Sequence, residues 1–438
     1  MSVRQALDDG PMTRFRWGVV VVCVLLNMID GFDVLVMAFT ASSVSAEWGL
    51  TGTQTGLLLS AGLVGMALGS LLVAPWADRV GRRPIILGCL VVASAAMLLS
   101  SVSQNAVQLG LLRVITGVGI GGILASSNVI ASEYASRRWR GFAVSLNSTG
   151  YALGATLGGV VAAVLIGGQG WRAVFLFGGV VTLLAVPLVF LRLPESMDFL
   201  LTRGDLGRVN ALAARMGLPH QDRLPDATGA PTGVGAGFRS LLAPELRRTT
   251  LILWVAFFGV MAGFYFVTSW TPTLLVDAGL TPGQGIAGGT LLNVGGIFGA
   301  AFLGLLATKF ALRNVLIAYL VITAALLAVF IASTSSLALA FVLGGLIGLF
   351  VNGCVAGLYA LTPGIYAAGV RTTGVGTALG IGRAGAILAP ALAGVLLDGG
   401  ATPQNLYLVV GAVFVAVAAV LTLLRAVAPV ATPTKELA

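Results

Sequence analysis

The chain has 438 residues, of which 57% are hydrophobic and only 9% charged. Soluble domains carry about 25% charged residues, so this composition excludes a water-soluble globule and fits a chain that crosses a membrane many times. A net charge of +9 suggests nucleic acid at first sight, and the placement of the cations along the chain decides whether that reading stands.

About twenty consecutive apolar residues cross the hydrocarbon core as a helix. By that measure the sequence predicts spans over 17–40, 52–75, 84–103, 106–132, 142–166 and 171–191. After a polar stretch, six more follow over 249–271, 284–307, 314–333, 336–361, 373–397 and 404–425. The first run is longer than the roughly 7–15 residues of a signal peptide's apolar core and contains two acids, so it reads as a retained span. With the N-terminus inside, an even number of spans puts both termini and the central loop in the cytoplasm. On that topology 22 of the 25 Lys and Arg residues fall inside, only Arg172 falls outside, and Arg113 and Arg383 lie within spans. This is the positive-inside pattern, so the basic charge reflects topology and a nucleic-acid partner is excluded. Cys23, Cys89 and Cys354 lie in apolar runs without metal or disulfide spacing, and His220 lies in a polar loop, so no metal site is expected.

The chain repeats itself. Ala74 to Arg83 follows the second span and Gly304 to Arg313 the eighth, at an offset of 230. Arg138-Trp-Arg-Gly141 opens the fifth span and Arg371-Thr-Thr-Gly374 the eleventh, at 233. Met28-Ile-Asp-Gly-Phe-Asp33 lies over Val260-Met-Ala-Gly-Phe-Tyr265 at 232. Such a repeat predicts two pseudo-symmetric six-helix bundles, 1–192 and 249–438, joined by a cytoplasmic loop over 193–248. The alignment also shows where the halves diverge. Asp30 corresponds to Ala262, Asp33 to Tyr265 and Arg383 to Gly150, so the acids belong to one half and the membrane arginine to the other.

Several motifs carry a family resemblance that covers nearly the whole chain. Asp78-Arg-Val-Gly-Arg-Arg83 resembles the signature of the major facilitator superfamily between its second and third helices, although Ala74 stands where that signature opens with glycine. Arg113 to Gly122 is similar to its fourth-helix motif and Pro194-Glu-Ser196 to its sixth-helix end. Asp30-Gly-Phe-Asp33, Trp270-Thr-Pro272 and Gly374 to Arg383 resemble the aromatic acid:proton symporters within it. The resemblance implies an all-α fold of twelve transmembrane helices in a bacterial cytoplasmic membrane. It also implies import of a benzoate-type carboxylate with protons, and a cytoplasmic latch made by Asp78, Arg79, Gly81, Arg82 and Arg83. In the fifth span, Ala155 occupies the proline position of the antiporter motif, which weakens a drug-antiporter reading.

The residues themselves point the same way. A charge at the centre of a membrane helix costs roughly 2.5–3.5 kcal/mol, so intramembrane charges mark function or ion pairing. Asn27, Asp30 and Asp33 recur every third residue and share one helical face, which is expected to face a polar cavity between the halves. Two carboxylates one turn apart repel when both are ionised, so the pair is expected to titrate as a unit and couple transport to protons. Arg383 offers a planar fork suited to a carboxylate and is the expected substrate anchor. Arg113 is open between relaying charge to Asp30 and holding helices together. Phe264, Tyr265, Trp270, Tyr359 and Phe32 are candidate ring contacts, with Tyr265 foremost as the counterpart of Asp33. Glu133 is expected to pair with Arg137, Arg138 or Arg371 within the cytoplasmic gate. Leu201 to Met216 reads as one amphipathic helix on the inner membrane surface. No phosphate-cradling motif with its lysine is present, so the expected energy source is the proton gradient, without a cofactor or an enzymatic step. The expected partners are a small organic anion, protons and lipid, with the chain acting as a monomer. The alternatives left open are a sugar acid, a dicarboxylate or nicotinate as substrate, and, more remotely, drug antiport.

Overall fold

The computed structural model describes residues 7–216, 240–330, 336–366 and 368–424. His220 lies outside the described residues. Among them there is no strand, and twelve helices are long and apolar enough to cross a membrane. They are α1 (Arg14–Trp48), α2 (Gly52–Val80), α3 (Arg82–Ser100), α4 (Ala106–Tyr134), α5 (Arg140–Gln169) and α6 (Trp171–Arg192). The second set is α7 (Pro244–Asp277), α8 (Pro282–Ala307), α9 (Leu312–Phe330), α10 (Leu337–Ile365), α11 (Ala368–Asp398) and α12 (Pro403–Thr422). Each overlaps one expected span.

Local chemistry sets the ends. Thr51 and Gln54 form a capping box at the start of α2, and Thr281 with Gln284 repeats it at α8, the pseudo-symmetric position. Thr13, Asn105 and Thr402 cap α1, α4 and α12. Within α2 the turn Gly69–Val73 widens to a π-helix just before Pro75. Proline lacks the N–H for the ladder and its ring crowds the carbonyl four residues back, which the wider turn relieves.

The packing repeats between the halves. α1 packs on α5 as α7 packs on α11, α2 on α4 as α8 on α10, and α3 on α6 as α9 on α12. α1 also packs on α7 across the halves, and two broader seams join them, α2 against α11 and α5 against α8. Both seams lie toward the face opposite the chain termini. There Gly52 and Gly394 meet backbone to backbone, so that a Cβ on Gly394 would sit 2.1 Å from the Gly52 carbonyl oxygen. One turn deeper, a Cβ on Gly56 would sit 2.5 Å from the Pro390 carbonyl oxygen. Ser60 Oγ donates to the Ile387 carbonyl at 2.7 Å, and the Asp398 carboxylate accepts from the Gly52 and Thr53 N–H groups at 2.7 and 2.8 Å. Toward the termini face, Cβ atoms on Gly376 and Gly380 of α11 would meet nothing within 4 Å, and Tyr359 is 45% exposed. The molecule is therefore closed at the opposite face and open between its halves toward the termini face.

The segment after α6 departs from the sequence expectation. The expected single helix over Leu201–Met216 is split into Met197–Arg203 and Leu206–Arg215. Gly204 takes a left-handed conformation (φ 76°) and Asp205 caps the second piece. The apolar face, Val209, Leu212 and Met216, is buried in one hydrophobic cluster with Leu7, Val19, Cys23 and Tyr134 of the first half. The amphipathic pattern thus reports a protein surface rather than the bilayer.

Candidate functional site

Asn27, Asp30 and Asp33 lie near the middle of α1 and are all buried, at 4, 3 and 4% exposure. Between them, Gly31 faces α5, where a Cβ would fall 2.0 Å from the Tyr151 carbonyl oxygen. That close approach turns the acids away from α5 and toward α4 and the second half.

The two acids have different surroundings. Asp33 Oδ1 accepts from Arg113 Nη1 at 2.8 Å, with the pair 3% and 1% exposed at the side chains. Arg113 Nη2 donates to Thr116 Oγ1 at 2.8 Å, and the guanidinium stands 5.1 Å from the Phe175 ring centroid. Arg113 is bonded to Asp33 and not to Asp30. Asp30 makes no ion pair among the described residues, and its Oδ1 is buried without a hydrogen-bond partner.

Across the interface, Tyr265, Tyr359 and Arg383 line a cavity of about 160 Å³ with Leu63, Met261, Leu379, Ala386 and Ile387. Arg383 forms no ion pair among the described residues, and its charge is within electrostatic reach of Asp30, Tyr151, Tyr265 and Tyr359. Leu63 also borders the small gap of about 10 Å³ beside Asp33 and Arg113, so the acid side and the arginine side meet at one α2 side chain. The cavity is smaller than the roughly 300–1,000 Å³ of pockets for drug-sized ligands and has the dimensions for a compact molecule.

Other ring candidates stand apart from this cavity. Phe264 is buried and packs edge-on to Tyr265 at 5.1 Å, backing the cavity wall. Trp270 is buried, its Nε1 donating to the Pro390 carbonyl at 3.0 Å, and it ties α7 to α11 nearer the opposite face. Phe32 points to the other flank of α1, where its ring fills the notches left by Gly158 and Gly178. One residue along a helix is a turn of about 100°, so Phe32 cannot share the face of Asp30 and Asp33. It borders a cavity of about 330 Å³ between α1, α5 and α6, whose lining is nearly all apolar and has no charged group.

The residues expected at the cytoplasmic gate form a cluster at the termini face of the first half. Arg82 pairs with Glu133 and donates to Ser196 Oγ at 2.7 Å, while Ser196 Oγ donates to Glu133 at 2.7 Å. The expected partners of Glu133 were Arg137, Arg138 or Arg371, and the structure gives it Arg82 instead. The α2–α3 turn brings Arg82 to the end of α4, whereas Arg371 bonds the Tyr366 carbonyl in the second half. Arg137 contributes its backbone N–H to the Asp8 carbonyl. Glu195 accepts from the N–H groups of Arg82, Arg83 and Ser196, an anion at the N-terminus of α3. Gly81 (φ 115°) is required here twice over, since a Cβ would also sit 2.5 Å from Glu195 Oε2. Arg83 donates to the Phe190 carbonyl and Arg203 to the Arg79 carbonyl. Asp78, with its side chain 74% exposed, lies 3.6 Å from Arg82. Sequence reasoning missed Glu195 and Ser196 as members of this cluster, although Pro194-Glu-Ser196 signalled them. It also missed Tyr151, whose signal was its position one residue after the counterpart of Arg383.

The Major Facilitator Superfamily model matches residues 21–311. The chain belongs to the major facilitator superfamily. It is 33% identical to a gallate transporter of Pseudomonas putida over 94% of this chain and 92% of that one. It is 31% identical to the 4-hydroxybenzoate transporter PcaK of Acinetobacter baylyi, over 91% and 88%. A 3-(3-hydroxy-phenyl)propionate transporter of Escherichia coli is 33% identical over 86% and 85%. In fold the protein is similar to an inward-facing, occupied bacterial homologue of the human lysosomal transporter Spinster (TM-score 0.72, 19% identity, 94% and 96% covered). It is also similar to the Escherichia coli xylose transporter XylE in a partially occluded inward open conformation (TM-score 0.67, 17% identity, 93% and 97% covered).

Proposed function

We propose that this superfamily member imports an aromatic carboxylate of the benzoate or hydroxybenzoate type together with protons, by alternating access. The observation that carries the reading is an Arg383 with no ion pair among the described residues, in a small cavity with two tyrosines and within electrostatic reach of an Asp30 that likewise has none among them. A guanidinium fork binds a carboxylate in a bidentate manner, and Tyr265 and Tyr359 supply rings against which a flat substrate stacks. Relatives named for gallate, 4-hydroxybenzoate and hydroxyphenylpropionate transport support the same substrate class.

Within this reading Asp33 is held by Arg113, and Asp30 exchanges the proton. Substrate and proton bind from the opposite face, the α2–α11 and α5–α8 seams close, and both are released toward the termini face. That face is cytoplasmic, and the membrane is the bacterial inner membrane, in keeping with the placement of Lys and Arg. The bundles 1–192 and 249–438 rock about the central site within one monomer. The cluster at Asp78, Arg79, Gly81, Arg82 and Arg83 latches the cytoplasmic side in the other half of the cycle. The transmembrane proton gradient drives the process without a cofactor.

The test is uptake into proteoliposomes of benzoate, 4-hydroxybenzoate, gallate, nicotinate and a sugar acid, with and without an imposed pH gradient. Asp30→Asn is expected to abolish gradient-driven uptake while preserving substrate exchange, and Arg383→Ala to raise the KM for every carboxylate at least about tenfold. Gradient-driven uptake that survives Asp30→Asn would show the coupling assignment to be wrong.

A further inference from the structure

The first half holds a second set of buried polar groups that the ion pairs leave unused. Asn27 on α1 and Asn147 on α5 are 4% and 0% exposed. Asn27 Nδ2, Asp30 Oδ1 and Asn147 Oδ1 are buried with no hydrogen-bond partner among the described residues. Buried polar atoms are nearly always bonded, to protein or to ordered water, and polar sites with several such atoms are where internal waters sit.

These groups are ordered along one line. α1 and α5 both run away from the termini face. A Cβ on Gly150 would lie 3.2 Å from the Asn27 Cβ and 2.7 Å from the Val24 carbonyl oxygen, so Asn27 stands level with Gly150. Asn147 is one turn of α5 nearer the termini face, on the same side as Gly150, and Asp30 is one turn of α1 farther from it than Asn27. Asn147 Nδ2 donates to Asn128 Oδ1 on α4, and Asn128 is exposed. Asp30, Asn27, Asn147 and Asn128 thus step from the middle of the bundle toward its open side.

We propose that Asn27, Asn147 and Asn128 hold a file of ordered water that conducts the proton between Asp30 and the termini face. The inference rests on the proton-coupled reading above and names the residues that serve it. An amide transfers no proton itself, but its oxygen accepts and its nitrogen donates, so each asparagine orients a neighbouring water. The proton passes from the Asp30 carboxyl to the first water, each water hands on one of its own, and a hydronium leaves beyond Asn128. Asp30 remains as carboxylate, and charge balances. Asn147 is a positioning residue in this scheme, acting through water and touching no substrate.

The experiment compares two modes in proteoliposomes with labelled 4-hydroxybenzoate. Net uptake driven by a pH gradient requires proton release in every turnover, whereas exchange against internal unlabelled substrate does not. Asn147→Leu is expected to slow net uptake about tenfold, the low end of the effect of losing an outer-shell orienting group, with exchange at the wild-type rate. Asn147→Ser, which can still hold a water, is expected to restore net uptake. Asn128→Leu, at an exposed position, is expected to show the same split and guards against an Asn147 variant that fails to fold. If the variants lower exchange and net uptake together, the asparagines are a tie between α4 and α5 and the proposal is overturned; unchanged net uptake overturns it equally. If instead Asp30→Asn keeps gradient-driven uptake, the underlying coupling assignment fails, independently of the asparagine variants.

Discussion

Asp30 and Asp33 sit one turn apart on the same helix, yet among the described residues only Asp33 is bonded to a cation. Arg113 reaches it from α4, and both partners are almost fully buried. Removing one member of such a pair strands the other charge in the interior, at a cost of about 3–5 kcal/mol, while removing both together costs much less. Arg113→Leu and Asp33→Leu are therefore each expected to lower the melting temperature of the purified protein sharply, and the double variant to recover most of the loss. Thermal unfolding in detergent measures this, and additive losses in the double variant would show that the two side chains stabilise the fold separately. The pair of acids was legible in the sequence because carboxylates are rare in apolar runs. Their division of labour was not, because it depends on Arg113, 80 residues away along the chain, and on how α1 and α4 are rotated against each other. Phe32 shows the same limit at shorter range. Its neighbours in sequence are at the centre of the site, and the helical twist alone carries its ring to the other flank.

At the scale of elements, hydropathy located every spanning helix, since length and apolarity are properties of the segment itself. What it did not show is how closely two helices approach. α1 and α5 touch through backbone at Gly31 and Gly154, and a Cβ on Gly154 would fall 1.9 Å from the Met28 carbonyl oxygen. Small residues at helix contacts permit this packing, which in a membrane replaces the hydrophobic drive available in water. Gly154→Val is expected to force α1 and α5 apart and destabilise the protein by about 1–3 kcal/mol, the usual range for overpacking. A fall in melting temperature and in the monodisperse fraction on size exclusion would register it, and an unchanged melting temperature would show that the contact relaxes freely. Because Asp30 and Tyr151 ride on these same two helices, the variant is also expected to impair uptake. The split amphipathic segment is the complementary lesson: its periodicity correctly announced a buried face, while the cluster that face joins contains Leu7, Val19, Cys23 and Tyr134 of the first half, which no local pattern identifies.

At the scale of the molecule, the α2–α11 seam links the closed face to the site. Its contacts descend α11 from Asp398 through Gly394 and Pro390 to Ile387, and one further turn reaches Arg383. On α2 the matching positions are Gly52, Gly56, Ser60 and then Leu63, which borders the Arg383 cavity. Separating this seam would open Arg383 to the opposite face, so the stability of the seam sets how often the site is exposed there. Asp398 is the outermost bond, a carboxylate across the N-terminus of a helix in the other half, and it acts as a cap supplied in trans. Asp398→Ala is accordingly expected to shift the population toward the state open at the opposite face. A cysteine placed at Ser60, buried here beneath the seam, reports the shift, because Cys23, Cys89 and Cys354 are all buried. Labelling of Ser60→Cys by a membrane-impermeant maleimide from the opposite face is expected to quicken several-fold in the Asp398→Ala background. Gly394→Ala, which forces a Cβ against the Gly52 carbonyl, is expected to quicken it as well. Equal labelling rates with and without these substitutions would mean that the remaining contacts between the halves, α5 with α8 and α1 with α7, keep that face shut.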